Sequence, residues 1–122
     1  MMRALLALAA AGLICAPANA EMSVATFLSK TDALKAKGIM ALGSPDIALH
    51  RDAVKGAAST YRLTIKDAKA KGKAPHSCPP EMMKMNSDEL ISHFKTVPQG
   101  QAKRTSIKAA FFDMMKKRYP CS

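Results

Sequence analysis

The chain has no tryptophan, two tyrosines and four phenylalanines, so aromatics make up only 5% of its 122 residues. A nucleic-acid surface built on base stacking lacks its usual side chains here, and no nucleic-acid motif replaces them. Acidic residues are also scarce: 9 Asp and Glu face 19 Lys and Arg, a formal net charge of +10. Long apolar runs are missing too. The one run, residues 4–14 with only Gly12 as a break, is about half of the ~20 apolar residues a bilayer crossing needs. No phosphate loop, dinucleotide fingerprint or nucleophile elbow occurs. The sequence therefore points away from nucleic acid, a membrane span, cofactor-dependent chemistry and the common hydrolase folds.

What is present at the start reads as a leader. Arg3 precedes the apolar run, and Ala18-Asn19-Ala20 has the small-x-small pattern of a signal-peptidase site, so cleavage is expected after Ala20. Cys15 follows Ile14 rather than a small residue, which does not suit lipoprotein processing, and it is expected to leave with the leader. Residues 21–122 would then form one small exported domain with a charge near +9. Lysines solvating the outer faces of helices account for most of that charge, though it also favours acidic partners or anionic surfaces. Two cysteines, Cys78 and Cys121, remain. An even count in an exported domain reads as a disulfide, and for a domain this small the bond would be a large part of the net stability.

Hydrophobic spacing predicts an all-α fold of four helices, within a range of three to five, and no convincing strand. The first covers about 23–37, with Val24, Phe27, Leu28, Thr31 and Leu34 on one face, and closes on Lys35-Ala36-Lys37-Gly38. The second opens on Ser44 as cap, Pro45 in the first turn and Asp46 at the positive end of the dipole. Its apolar stripe is Ile47, Val54, Ala58, Tyr61, Ile65 and Ala68, and it stops on Lys69-Ala70-Lys71-Gly72. The small residues 56–59 imply either a close helix approach or a bend. Pro75, Pro79 and Pro80 make the segment around Cys78 a stiff loop. A short third helix starts at Asn86 or Ser87 and buries Leu90, Ile91 and Phe94. Pro98-Gln99-Gly100 turns the chain into a fourth helix over about 101–118, which buries Ile107, Ala110, Phe111, Met114 and Met115 before Pro120 ends it.

Reactive chemistry finds little support. A nucleophilic Cys78 would need a base, and His76 and His93 are the only candidates, with no carboxylate placed to orient either. His76, Cys78, His93 and Cys121 include metal-ligand types but lack the pair spacings that fix such a site, and Met82, Met83 and Met85 suit core filling more than a soft ion. Asp88 and Glu89 are adjacent at a helix start and serve its dipole. His50 and His93 read as boundary residues of helices. No cofactor is implied.

From the loop to the chain end the order is Ser77-Cys78-Pro79-Pro80, then Ser87, Ile91 and Lys95 at four-residue spacing, Pro98, Arg104, Ala109-Ala110, Met114-Met115 and Tyr119-Pro120-Cys121. This layout resembles the C-terminal half of the Rap/Tai-type immunity proteins, small exported helical inhibitors of the peptidoglycan amidases delivered by type VI secretion. The resemblance implies Cys78 and Cys121 as disulfide partners, with Pro80, Pro98 and Pro120 as loop and turn positions; Pro79 belongs to the same loop. It carries no effector-binding residue, and residues 21–73 lack the further cysteines common in the family.

The expected function is therefore a periplasmic, non-enzymatic binding protein that occludes an amidase effector, with the loop of residues 38–45 and the prolines around Cys78 as contact candidates. A homodimer stays open. Two rivals stand beside it: a chaperone-like stress protein, and a binder of anionic lipid or cell-wall polymer through Lys66, Lys69, Lys71 and Lys73.

Overall fold

A computed structural model describes residues 21–122, so the expected leader, with Ala18, Ala20 and Cys15, lies outside the described residues. The chain forms α1 (Val24–Lys37), a 3-10 turn (Gly38–Gly43), α2 (Pro45–Ala70), α3 (Ser87–Lys95), α4 (Gln99–Ala102) and α5 (Ile107–Arg118). The fold is all-α, and a single isolated β-bridge, between Ser23 and Ser106, is the only β pairing among the described residues.

Helix ends follow from local chemistry. Ser23 caps α1 by accepting from the Thr26 N–H, and Ser44 caps α2 by accepting from the Asp46 N–H with Pro45 in the first turn. Asn86 and Glu89 form a reciprocal capping box at α3. At the other ends Gly38 and Gly72 take φ values of 55° and 65°, the left-handed conformation in which a Cβ is strained.

The expected fourth helix is two. α4 stops at Ala102 and α5 starts at Ile107, with Ser106 accepting from the Ala109 N–H as a new cap. The break frees backbone groups for distant partners: the Val24 N–H donates to Thr105 O at 2.8 Å and the Ile107 N–H donates to Met22 O at 2.9 Å. Glu21 adds an ion pair to Lys108. A segment remote in sequence thus sets the boundary, by supplying hydrogen bonds that a continuous helix would have made internally.

α2 runs unbroken through its small-residue stretch. Ala57 is the buried member, whereas a Cβ at Gly56 would meet nothing within 4 Å, so Gly56 itself permits no close approach. The core gathers Val24 and Phe27 from α1, Tyr61 and Ile65 from α2, Leu90 and Phe94 from α3, and Ile107, Ala110, Phe111, Met114 and Met115 from α5. The few aromatics concentrate there. Phe27 packs edge-on against Phe94 at 5.2 Å, and Tyr61 meets Phe111 at 5.8 Å and Phe112 at 5.4 Å.

Cys78 and Cys121 are joined in a disulfide, their Cα atoms 5.0 Å apart. The Cys78 N–H also donates to Tyr119 O at 2.8 Å, so the chain end is held by a covalent and a hydrogen bond. The closed loop spans 43 residues of separation and contains α3, α4 and α5. Constraining a loop of that length in the unfolded chain stabilises the fold by about 4 kcal/mol in the chain-entropy account.

Two stability measurements follow. Replacing both cysteines by Ala, or reducing the exposed bond, should lower the unfolding free energy by about 2–5 kcal/mol in urea titrations. Gly56→Ala, in an exposed helix interior with free space, should raise it by about 1 kcal/mol; an unchanged or lower value would contradict the unbroken helix.

Candidate functional site

Geometry first narrows the chemistry at the loop. Cys78 and Cys121 are bonded to each other, so neither sulfur is free as a nucleophile or metal ligand. Among the described residues no three His, Cys, Asp or Glu side chains come together as a metal site. Met82 is exposed, while Met83 and Met85 line a groove shared with α1, α2 and α3.

Next to the disulfide lies a contact that sequence spacing did not reveal. Ser77 is 1% exposed, and its hydroxyl is 2.5 Å from Tyr61 Oη and 3.1 Å from His76 Nδ1. A serine beside a histidine has nucleophile chemistry in principle, but this hydroxyl is enclosed and both neighbours are already bonded to it. His76 also packs edge-on against Phe112 at 5.4 Å. The trio fastens the proline-rich loop onto α2. Pro79 and Pro80 border a shallow depression with Lys66 and Lys69, while Lys71 pairs with Asp67 instead. Pro98 precedes α4, its carbonyl accepting from the Gln101 and Ala102 N–H groups, and Pro120 is exposed just before Cys121.

At the opposite end, α1 and α2 meet in a braced corner. Lys30 and Asp46 form an ion pair at 3.0 Å. The buried Thr31 hydroxyl donates to Phe27 O, and His50 is wedged between the helices: its Nδ1 is 2.8 Å from Asp46 O, its Nε2 3.1 Å from Phe27 O and from Thr31 Oγ1. His50 also stacks against Phe27 at 4.3 Å. It therefore has partners that sequence alone did not supply.

The corner carries the 3-10 turn Gly38–Gly43, in which Ile39, Met40 and Leu42 are 81, 78 and 78% exposed and Ala41 is buried. A 3-10 period places residues three apart on one face. Ile39 and Leu42 thus share an outer face with Met40 beside them, and Ala41 is the one residue of the turn that is buried. This inverts the usual arrangement, in which the large apolar groups are inside.

Between α1, α2, α3 and the segment before α3 runs a groove of about 750 Å3. Its floor is the uncovered half of the α2 stripe, Ile47, Val54 and Ala58, with Leu34 and Ile91 beside it; these residues, expected in the core, are only half-buried. The rim holds Lys35, Arg51, Lys55 and Arg62 and no acidic side chain. None of these four cations takes part in an ion pair among the described residues. The signal that could have found the groove is the i, i+4, i+11 row of Arg51, Lys55 and Arg62 beside that stripe.

Elsewhere a few charges brace the fold. Arg118 donates to Glu89 Oε2 at 3.1 Å and to Lys84 O at 3.2 Å, tying α5 to the start of α3. That hydrogen bond, with a second from the Asn86 N–H, holds the Glu89 carboxyl below its ordinary value and raises Arg118. Lys108 lowers Glu21 in the same way. His93 Nε2 lies 3.4 Å from Asp113 Oδ2 without hydrogen-bond geometry. No described helix is long and apolar enough to cross a membrane.

No family model, curated protein or solved structure matches this chain.

Tyr61→Phe should lower the unfolding free energy by about 1 kcal/mol, because the buried Ser77 hydroxyl loses a partner. Adding Ser77→Ala to that variant should cost less than Ser77→Ala alone, a coupling that urea titration of the four proteins measures. Simple additivity would mean that the two hydroxyls act separately.

Proposed function

We propose that the protein is an exported, periplasmic inhibitor that acts by occlusion, similar to the Rap/Tai-type immunity proteins, with a peptidoglycan amidase effector as its partner. The observation that carries this reading is the Gly38–Gly43 turn. Three large apolar side chains stand about four-fifths exposed on a short helical turn fixed at both ends, by Gly38 and by the Ser44 N–H donating to Ala41 O. Such groups are an interaction surface rather than a packing solution, and the braced corner beneath presents them without a large ordering cost on binding. A turn of this width can enter a catalytic cleft and exclude substrate, with no reaction by the inhibitor itself. The expected leader, the disulfide and the Cys78-to-Cys121 layout are what support the compartment and the family likeness.

A chaperone-like role uses the same exposed apolar surface, with Met82 adding to it. The two readings differ in specificity: an inhibitor binds one folded enzyme at a fixed ratio, and a chaperone suppresses aggregation of many unfolded clients.

The test is inhibition of purified type VI peptidoglycan amidases, read as release of soluble fragments from cell walls. The native protein should inhibit at a fixed ratio. The Ile39→Ser, Met40→Ser, Leu42→Ser variant should keep its fold and lose at least about tenfold in potency, as expected when central apolar anchors are removed. Absence of binding to every amidase tried, with aggregation suppressed instead, would overturn the proposal.

A further inference from the structure

The α1–α2–α3 groove has a chemistry that occlusion by the turn does not use. We infer that it docks an acidic amphipathic helix of a partner protein, whose apolar face lies on Ile47, Val54 and Ile91 while its acidic flank pairs with Arg51, Lys55 and Arg62. The apolar floor is of the kind that accepts a helix through i, i+3, i+4 and i+7 anchors. The groove runs along three helices, its lining drawn from α1, α2 and α3 and from the segment before α3.

The cations identify the occupant. From residue 51 to residue 62 they cover about 16 Å of helix, on one side of α2, and none is spent on an internal ion pair among the described residues. A row of that length complements several carboxylates spaced along a partner element. A single-headed anionic amphiphile would use cations gathered at one end of the groove. A second copy of this chain fits poorly, because its own exposed turn is flanked by Lys35 and Lys37 and would bring like charge to a rim without acids.

The test uses the oxidised protein expressed from the full-length chain and a synthetic helical peptide with leucines at the anchor spacing and glutamates along one flank. Fluorescence anisotropy should show saturable one-to-one binding that weakens as salt rises. The variant Arg51→Gln, Lys55→Gln, Arg62→Gln should bind about tenfold more weakly, as three exposed ion pairs of ordinary strength predict, with its helical circular dichroism unchanged. A peptide with lysines in place of the glutamates should not bind. The Ile39→Ser, Met40→Ser, Leu42→Ser variant should bind the peptide normally, which separates this site from the occluding turn. Equal affinity of the rim variant or of the lysine peptide would overturn the inference. Tighter, stoichiometric binding of dodecanoate in the same groove would overturn it in favour of an amphiphile, and a dimer dissociated by the peptide in favour of a second copy.

Discussion

The Cys78–Cys121 bond ties the end of the chain to a loop that makes little regular structure of its own. Between Ala70 and Ser87 there is no helix or strand, and three prolines withhold backbone donors. What positions this segment is the disulfide, the Cys78 N–H donated to Tyr119 O, and the buried Ser77 hydroxyl held by Tyr61. These contacts converge on α2 and α5, the two helices that meet through the edge-on pair Tyr61 and Phe111. If the clasp opens, the loop, the end of α5 and the covering of Tyr61 become uncoupled together. In a small domain with a modest core, one covalent constraint therefore controls more than its own neighbourhood.

Helix lengths then determine what is left uncovered. α2 has 26 residues and α5 has 12, or about 39 and 18 Å of rise. α5 can cover only part of α2, and it covers Ala57, Tyr61 and Ile65 toward the C-terminal end. The preceding apolar residues are left to α1 and α3, which leave a gap between them. The groove follows from this mismatch. The unpaired cations on its rim then give the exposed apolar strip a defined electrostatic character.

Elements governed by neighbours in sequence were legible from it. Ser44, Pro45 and Asp46 announce the start of α2, Gly38 and Gly72 mark ends that need positive φ, and all five inward residues expected of α5 are buried. The disulfide pairing was legible because, once Cys15 is assigned to the expected leader, two cysteines leave one choice. Elements governed by distant partners were not. The break at residues 103–106 depends on Met22 and Val24 arriving to share backbone hydrogen bonds, and nothing within the segment itself announces them. An amphipathic stripe likewise looks the same whether a partner helix covers it or not, so Ile47, Val54 and Ala58 read as core and form a groove floor. The His50 contacts to α1 are a third case: they depend on an interhelical approach that spacing does not encode.

Stability and exposure are thus divided along one helix. The C-terminal half of α2 is fixed by Tyr61, Ile65 and the clasped loop. Its N-terminal half is braced more lightly, through Lys30–Asp46 and the His50 contacts, and it carries the apolar turn and the basic-rimmed groove. A continuous helix transmits the rigidity of the first half to the second, so the exposed groups stay ordered without a core of their own. An exposed apolar turn on a loose loop would gain little on binding after its ordering cost, and would invite aggregation. Held on an extension of the packed helix, the same residues remain available, and the surrounding positive charge opposes self-association. The long α2 is therefore what allows a domain with so small a core to keep large apolar side chains in water.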